Sequence, residues 1–301
     1  CHGGPPCRVV SLYTADEGLD PFSEEAIRAA NPAFGDFLNA TEVLEQAAVA
    51  KRMPSREASF RNLILNQRVN ASNPLIPRGV WTAAQADYTL ADFYGCPCWA
   101  GLDLSATTDT TALVLVFQRE GVFYTWPFFW LPEIGLSDKA HRDRVPYDLW
   151  RDQGYLLTTP GKAIDQLAVV RKAVEVMEDF DLRLIAYDRW GMKFLQPQLE
   201  REGIELPLEE FGQGFQSMSP AVSTLEAALL NGKLLHPGNP VLNFHAANAV
   251  ATSDPAGNRK LDKAKATGRI DGIVALCMAL AKASAEQPEQ SIYNSRDLLV
   301  L

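Results

Sequence analysis

The chain has 301 residues, 47% of them hydrophobic and 22% charged; 28 Lys and Arg stand against 37 Asp and Glu, for a formal charge of −9. That length suits one large or two modest domains, and the composition is that of a folded protein, not a disordered tail. The acidity excludes a surface generally coated for nucleic acid, though it leaves room for a local basic patch, and no apolar run is long enough to span a bilayer.

In chain order, the first part, to about Ala71, reads as helical. "SEEAIRAANP" offers Ser23 as an N-cap and Asn31-Pro32 as a stop. "NATEVLEQAAVAKRM" places Asn39 three residues before Glu42, with Val43, Ala47 and Ala50 at helical spacing. "SREASFRNLILNQRV" predicts a third helix, and "NASNPLIPRGVW", with two prolines, an extended connector. From Cys98 the texture changes to three short strands, Trp99–Ser105, Ala112–Phe117 and Val122–Trp130, whose turn-length gaps predict an antiparallel meander. "KAIDQLAVVRKAVEVMEDF" follows as a helix with Ile164, Leu167, Val170, Val174 and Met177 inward, then "LRLIAYD" as a compact strand, an order that suits a parallel crossover. "MKFLQPQLEREG" and "SPAVSTLEAALLNGK" read as helices. "AANAVATSDPAGNRKLDKAK" reads as a hairpin turning at Asp254-Pro255-Ala256-Gly257, and "RIDGIVALCMALAKA" as a closing helix. The five cysteines fit no common zinc spacing, and Cys98 and Cys277 lie in apolar runs as buried thiols.

Three acids stand out from this pattern. Asp103 lies in the first strand, Asp188 ends the fourth, and Asp271 opens the last helix. Carboxylates are seldom buried without a partner. In a mixed α/β sheet with its first and fourth strands adjacent, Asp103 and Asp188 face one crevice, and a helix packed across the sheet brings Asp271 there. Clustered carboxylates raise one another's pKa unless a cation joins them, and hard oxygen ligands suit Mg²⁺ or Mn²⁺. Two such ions, roughly 3.5–4 Å apart, activate water and steady the leaving oxygen in phosphodiester cleavage. Each acid also has a plain structural reading: Asp188 as a strand-end turn residue, Asp271 as a helix-start acid favoured by the macrodipole.

Longer stretches carry a resemblance. "WAGLDLSATTDTTALVLVF", "LIAYDRWG", "FGQGFQSMSPAVSTLEAALLNGKLLHPGNPVLNF" and "GRIDGIVALCMAL" together resemble the large terminase subunit of tailed bacteriophages and prophages, in the branch with an HK97-type capsid. "NPAFGDFLNATEVLEQAAVAKRMPSREASFRNLILNQRV" resembles that family's junction between ATPase and nuclease domains. The resemblance implies a ribonuclease H-like mixed sheet flanked by helices over residues 81–301, with residues 1–80 as a helical linker at the end of the ATPase domain. It implies cutting of concatemeric double-stranded DNA during genome packaging, with Asp103, Asp188 and Asp271 as metal-binding acids and Asp109 as an auxiliary one. Asp103 would bridge two Mg²⁺ or Mn²⁺ ions, with Asp188 and Asp271 completing one each. The implied partners are double-stranded DNA, the small terminase subunit and the portal ring, in the cytoplasm of a bacterial host and without a membrane.

The family's motor also needs a G-x-x-x-x-G-K-[ST] phosphate loop. "TPGKAI" around Lys162 supplies only its Gly-Lys, so no ATP hydrolysis is expected of these residues, and the start at Cys1 suggests part of a longer product. "RKLDKAKATGR" sets Arg259, Lys260, Lys263, Lys265 and Arg269 against one acid just before Asp271, a basic ribbon suited to a phosphate backbone; such lysines equally serve to protect a sheet edge. Arg189, beside Asp188, is placed to touch phosphate or an acid. His236 and His245 read as packed or as supports for the site, and "FGQGF" as a loop near the crevice. Two other readings stay open: a non-catalytic packaging scaffold, and a nucleotide-binding protein of the sugar-kinase and actin-like class. The second shares the Asp-bearing strand and Thr-rich turn but normally has glycine where Ser105 stands.

Overall fold

A computed structural model of the chain describes residues 13–16, 18–52, 60–67, 74–105 and 109–286. The chain divides into two compact units at the junction of residues 73 and 74. In the first, α1 (Glu24–Ala30) starts where the Ser23 hydroxyl accepts the Ala26 N–H at 3.2 Å, and it stops at Asn31. α2 (Ala40–Arg52) starts where Asn39 Oδ1 accepts the N–H groups of Thr41 and Glu42. Both caps satisfy donors that a helix start leaves without partners. Val43, Ala47 and Ala50 turn inward against Ile27, Phe60 and Leu65. Of the predicted third helix, residues 60–63 are helical and much of the rest lies outside the described residues, as do Cys1, Cys7 and the Thr-rich turn at 106–108.

The second unit begins by correcting the extended connector: Arg78–Ala83 is a helix, α3, entered from Pro77. A proline there loses nothing, because the first helical N–H groups have no intrahelical partner. Strands β1 (Pro97–Asp103), β2 (Thr111–Arg119) and β3 (Val122–Pro132) form the expected antiparallel meander. Short helices α4 (Leu136–Asp143) and α5 (Tyr147–Asp152) and strand β4 (Leu157–Thr159) follow, with periodicity too brief to be read from sequence. α6 (Gln166–Asp179) leads to β5 (Asp181–Tyr187), α7 (Arg189–Glu202) to β6 (Leu208–Glu210), and α8 (Phe215–Leu230) to β7 (Leu234–Leu235). α9 (Pro240–Asn248) takes the segment expected to open the hairpin, which reduces to β8 (Ala251–Ser253) and β9 (Arg259–Leu261). α10 (Asp271–Ala285) closes the described chain.

The sheet order is β4-β3-β2-β1-β5-β6, with β7 beside β3. β1 and β5, the first and fourth strands legible in the sequence, pair in parallel. Both faces are covered, which is why β2 is a nearly unbroken apolar run. Alternation sorts the strands cleanly: Trp99, Ala112, Val114 and Val116 pack with α8, α9 and α10, whereas Cys98, Ala100, Leu102, Leu113 and Leu115 pack with α6 and α7. α10 lies directly across β1, β2 and β5. The approach is so close that a Cβ on Gly101 would fall 1.9 Å from the Ala275 carbonyl oxygen. Gly101 is therefore the residue that lets α10 seat on β1, and α10 in turn carries Asp271 to the carboxyl end of that strand.

Candidate active site

Asp103 is the last residue of β1, on the same face as Trp99 and Gly101, and so emerges beneath α10. The parallel register pairs Leu102 with Tyr187, and the next residues along the two strands are Asp103 and Asp188. Crevices beyond the carboxyl ends of parallel strands are where α/β sheets bind ligands. Asp103 and Asp271 are 5% and 4% exposed, and the Lys263 ammonium holds them together, with Nζ 2.7 Å from Asp103 Oδ2 and 2.8 Å from Asp271 Oδ1. Burial pushes the Asp103 carboxyl up to about 6; Lys263 pulls it down and the Asp271 charge adds to the rise. Burial alone would lower Lys263, but the two carboxylates hold its ammonium above the ordinary lysine value. Asp271 Oδ2 is buried with no hydrogen-bond partner, a costly state for an oxygen of that type.

Beside this group opens a cavity of about 450 Å³ lined by Asp188, Gln213, Gly214, Lys260, Leu261, Asp262 and Lys263. The "FGQGF" segment thus does border the crevice. Its Gln213 was not singled out by sequence reading, since a glutamine between glycines carries no pattern. Its carboxamide favours the charged form of Asp103, yet its Nε2 is itself buried without a hydrogen-bond partner. Asp188 is half-buried at the start of α7, where its side chain makes no capping bond. Among the described residues, no three His, Cys, Asp or Glu side chains converge closely enough to enclose a metal ion; Lys263 occupies the space between the buried pair. The donors nonetheless suit a hard divalent cation: they are all carboxylate oxygens, one has no bond of any kind to satisfy it, and a third acid stands on the adjoining wall.

The remaining candidates are each engaged. Asp109, exposed two residues before β2, pairs with Arg269 at 2.5 Å. Arg259 grips Glu226 through both guanidinium nitrogens, one at 2.8 Å, and Lys260 lies over the Phe215 ring at 5.0 Å. Lys265 Nζ donates to Thr252 Oγ1 at 2.9 Å, and Arg189 lies 3.9 Å from Glu210. Of the histidines, His236 stacks on Trp81 and bonds its carbonyl at 2.8 Å, so it is a packed residue. His245 is closer to the site: its Nδ1 accepts the Gly272 N–H at 2.9 Å, which pins the first turn of α10 next to Asp271.

A family model described as "Terminase large subunit, endonuclease domain" matches residues 9–287. The chain belongs to that family. It is 46% identical over 288 residues to the terminase large subunit of Enterobacteria phage HK97, covering 95% of this chain and 56% of that protein. Protein YmfN of Escherichia coli strain K12 is 27% identical over 293 residues, covering 93% and 64%, and the terminase large subunit of Lactococcus phage SK1 is 24% identical over 268 residues, covering 85% and 48%. The crystal structure of the HK97 bacteriophage large terminase superposes with a TM-score of 0.66 at 46% identity, covering 91% of this chain and 57% of that one. The fold is the ribonuclease H-like mixed sheet of terminase nucleases. This terminase chain spans roughly half to two thirds of the length of the curated relatives it matches. No helix among its described residues is long and apolar enough to cross a membrane.

Proposed function

We propose that this chain is a metal-dependent endonuclease that cuts concatemeric double-stranded DNA during phage genome packaging. The observation that carries the reading is the pair Asp103 and Asp271. Separated by 168 positions in the chain, they are buried together at the end of β1, with one carboxylate oxygen left unsatisfied. Such an arrangement costs stability unless a ligand uses it.

Asp103, Asp188 and Asp271 would hold one or two Mg²⁺ or Mn²⁺ ions, which when bound activate water and stabilise the departing oxygen. The residues themselves supply the rest. The two buried carboxylates exclude solvent from one side of the site, and Asp188 and Gln213 form the side open to DNA. Lys260 and Lys265, on and just after β9, supply phosphate contacts that position the duplex without reading its sequence. Asp109 is an auxiliary acid that Arg269 holds back from the centre. Residues 1–80 are the linker to a motor domain, the partners are the small terminase subunit and portal ring, and the site of action is the bacterial cytoplasm. ATP hydrolysis is not assigned to this chain.

The test is plasmid cleavage with Mn²⁺. Nicking and linearisation blocked by EDTA are expected, and Asp103→Asn and Asp271→Asn each reduce the rate by about a hundred- to a thousandfold, the scale of losing a charge-stabilising group at a reacting centre. Intact plasmid across a full metal and protein concentration series sinks the proposal in favour of a packaging scaffold.

A further inference from the structure

Lys263 is an unusual occupant for a metal-binding crevice. Its ammonium donates to Asp103 Oδ2 at 2.7 Å and pairs with Asp271 Oδ1 at 2.8 Å, the two acids most buried in the site. Two carboxylates and one ammonium leave a net charge of −1, which a single divalent ion in place of the ammonium would cancel. A cation of the Mg²⁺ class lies about 2.1 Å from its oxygen ligands, so it and the ammonium cannot share the space between the same two oxygens.

The backbone around Lys263 is fixed. Asp262 Oδ1 accepts the N–H groups of Ala264 and Lys265 at 3.0 and 3.1 Å, and the Asp262 N–H donates to the Val250 carbonyl at 2.9 Å. The side chain, held only through its ammonium, is 48% exposed and lines the cavity with Lys260. Only the side chain has to swing for the ammonium to leave.

We infer that Lys263 is a resident counter-ion of the site, holding Asp103 and Asp271 together in the metal-free protein and being displaced into the cavity when a divalent cation binds. This deepens the nuclease reading and rests on it. Lys263 is a positioning residue that competes with the metal; it is not a ligand.

The test uses the intact 301-residue chain and Mn²⁺ alone as probe. Calorimetry at about pH 7.5 compares the parent with Lys263→Met, which keeps the stem, and Lys263→Arg, which keeps the charge. Lys263→Met is expected to bind Mn²⁺ about tenfold more tightly, as removal of a like charge from a cation site requires, and Lys263→Arg to bind close to the parent. Equal or weaker binding by Lys263→Met overturns the inference while leaving the nuclease reading intact. No Mn²⁺ binding by any of the three overturns both. Should Lys263→Met fail to fold, reductive methylation of the parent decides: labelling at Lys263, with exposed Lys233 as reference, rises with Mn²⁺ if the ammonium is released. Unchanged labelling in a protein that binds Mn²⁺ overturns it.

Discussion

Gly101 shows how a single residue can determine a site it does not belong to. It sits two positions before Asp103 on the same face of β1, and its missing side chain is filled by the backbone of α10. Gly272 does the same at the helix start, where a Cβ would come within 2.8–2.9 Å of Phe129 and His245. Gly101→Ala is expected to lower stability by about 3 kcal/mol or more, since backbone cannot yield as a side chain can. Thermal unfolding measures it, and Mn²⁺ binding should weaken in parallel because α10 carries Asp271. A variant with unchanged melting temperature would mean that α10 is not seated as described.

The β8–β9 hairpin is the element that joins the charge pattern to the crevice. Its turn follows from chemistry: the Asp254 carboxylate accepts from the Asn258 backbone N–H at 2.8 Å and from the Asn258 side chain at 2.9 Å. Its basic residues are not equivalent, although the sequence presents them as one run. Arg259 is tied to Glu226 on α8 and fixes the hairpin, whereas Lys260 borders the cavity and Lys265 donates to Thr252 and pairs with Asp262 at 3.8 Å. In the proposed nuclease, Lys260→Gln and Lys265→Gln should each weaken duplex binding and lower the slope of log affinity against log salt by about 1. Filter binding across a salt series checks this, with Ca²⁺ in place of Mn²⁺. An unchanged slope would remove these lysines from the DNA path.

For the whole molecule, the two buried histidines set an acid limit. Burial lowers His236, and burial lowers His245 to about 4, against the pull of the Asp271 charge. Both are neutral in the fold and charged more readily in the unfolded chain, so their contribution is fully present above the ordinary value near 6.5. It is lost as pH falls toward about 4, by up to about 3 kcal/mol for His245 alone. Asp103, raised to about 6 by burial, acts in the opposite sense over the same window, so the melting temperature should drop by less than the histidines alone dictate, and His236→Gln should flatten part of that drop. The same drop in His236→Gln as in the parent would show that this ring already takes up a proton in the fold.

The parts of this protein legible in its sequence are those governed by short-range chemistry. Ser23 and Asn39 cap their helices as their side chains dictate, and Asp254 and Gly257 turn the hairpin. The meander from β1 to β3 follows from apolar runs cut by turn-length gaps. The helix between the third and fourth strands pointed to a parallel crossover, but that β5 settles beside β1 is decided by the assembled sheet. The short elements α3, α4, α5, β4 and β7 stayed hidden because six to eight helical residues, or two or three strand residues, leave almost no period to read; their partners in the fold select them instead. The ring of contacts around the acids was beyond any local rule. That Lys263, rather than Lys260 or Lys265, meets Asp103 and Asp271, that Arg269 takes Asp109, and that Gln213 joins the crevice all depend on where α10 crosses β1. That crossing is set by packing between residues about 170 positions apart, and sequence spacing holds no record of such a distance until the sheet and helix are assembled.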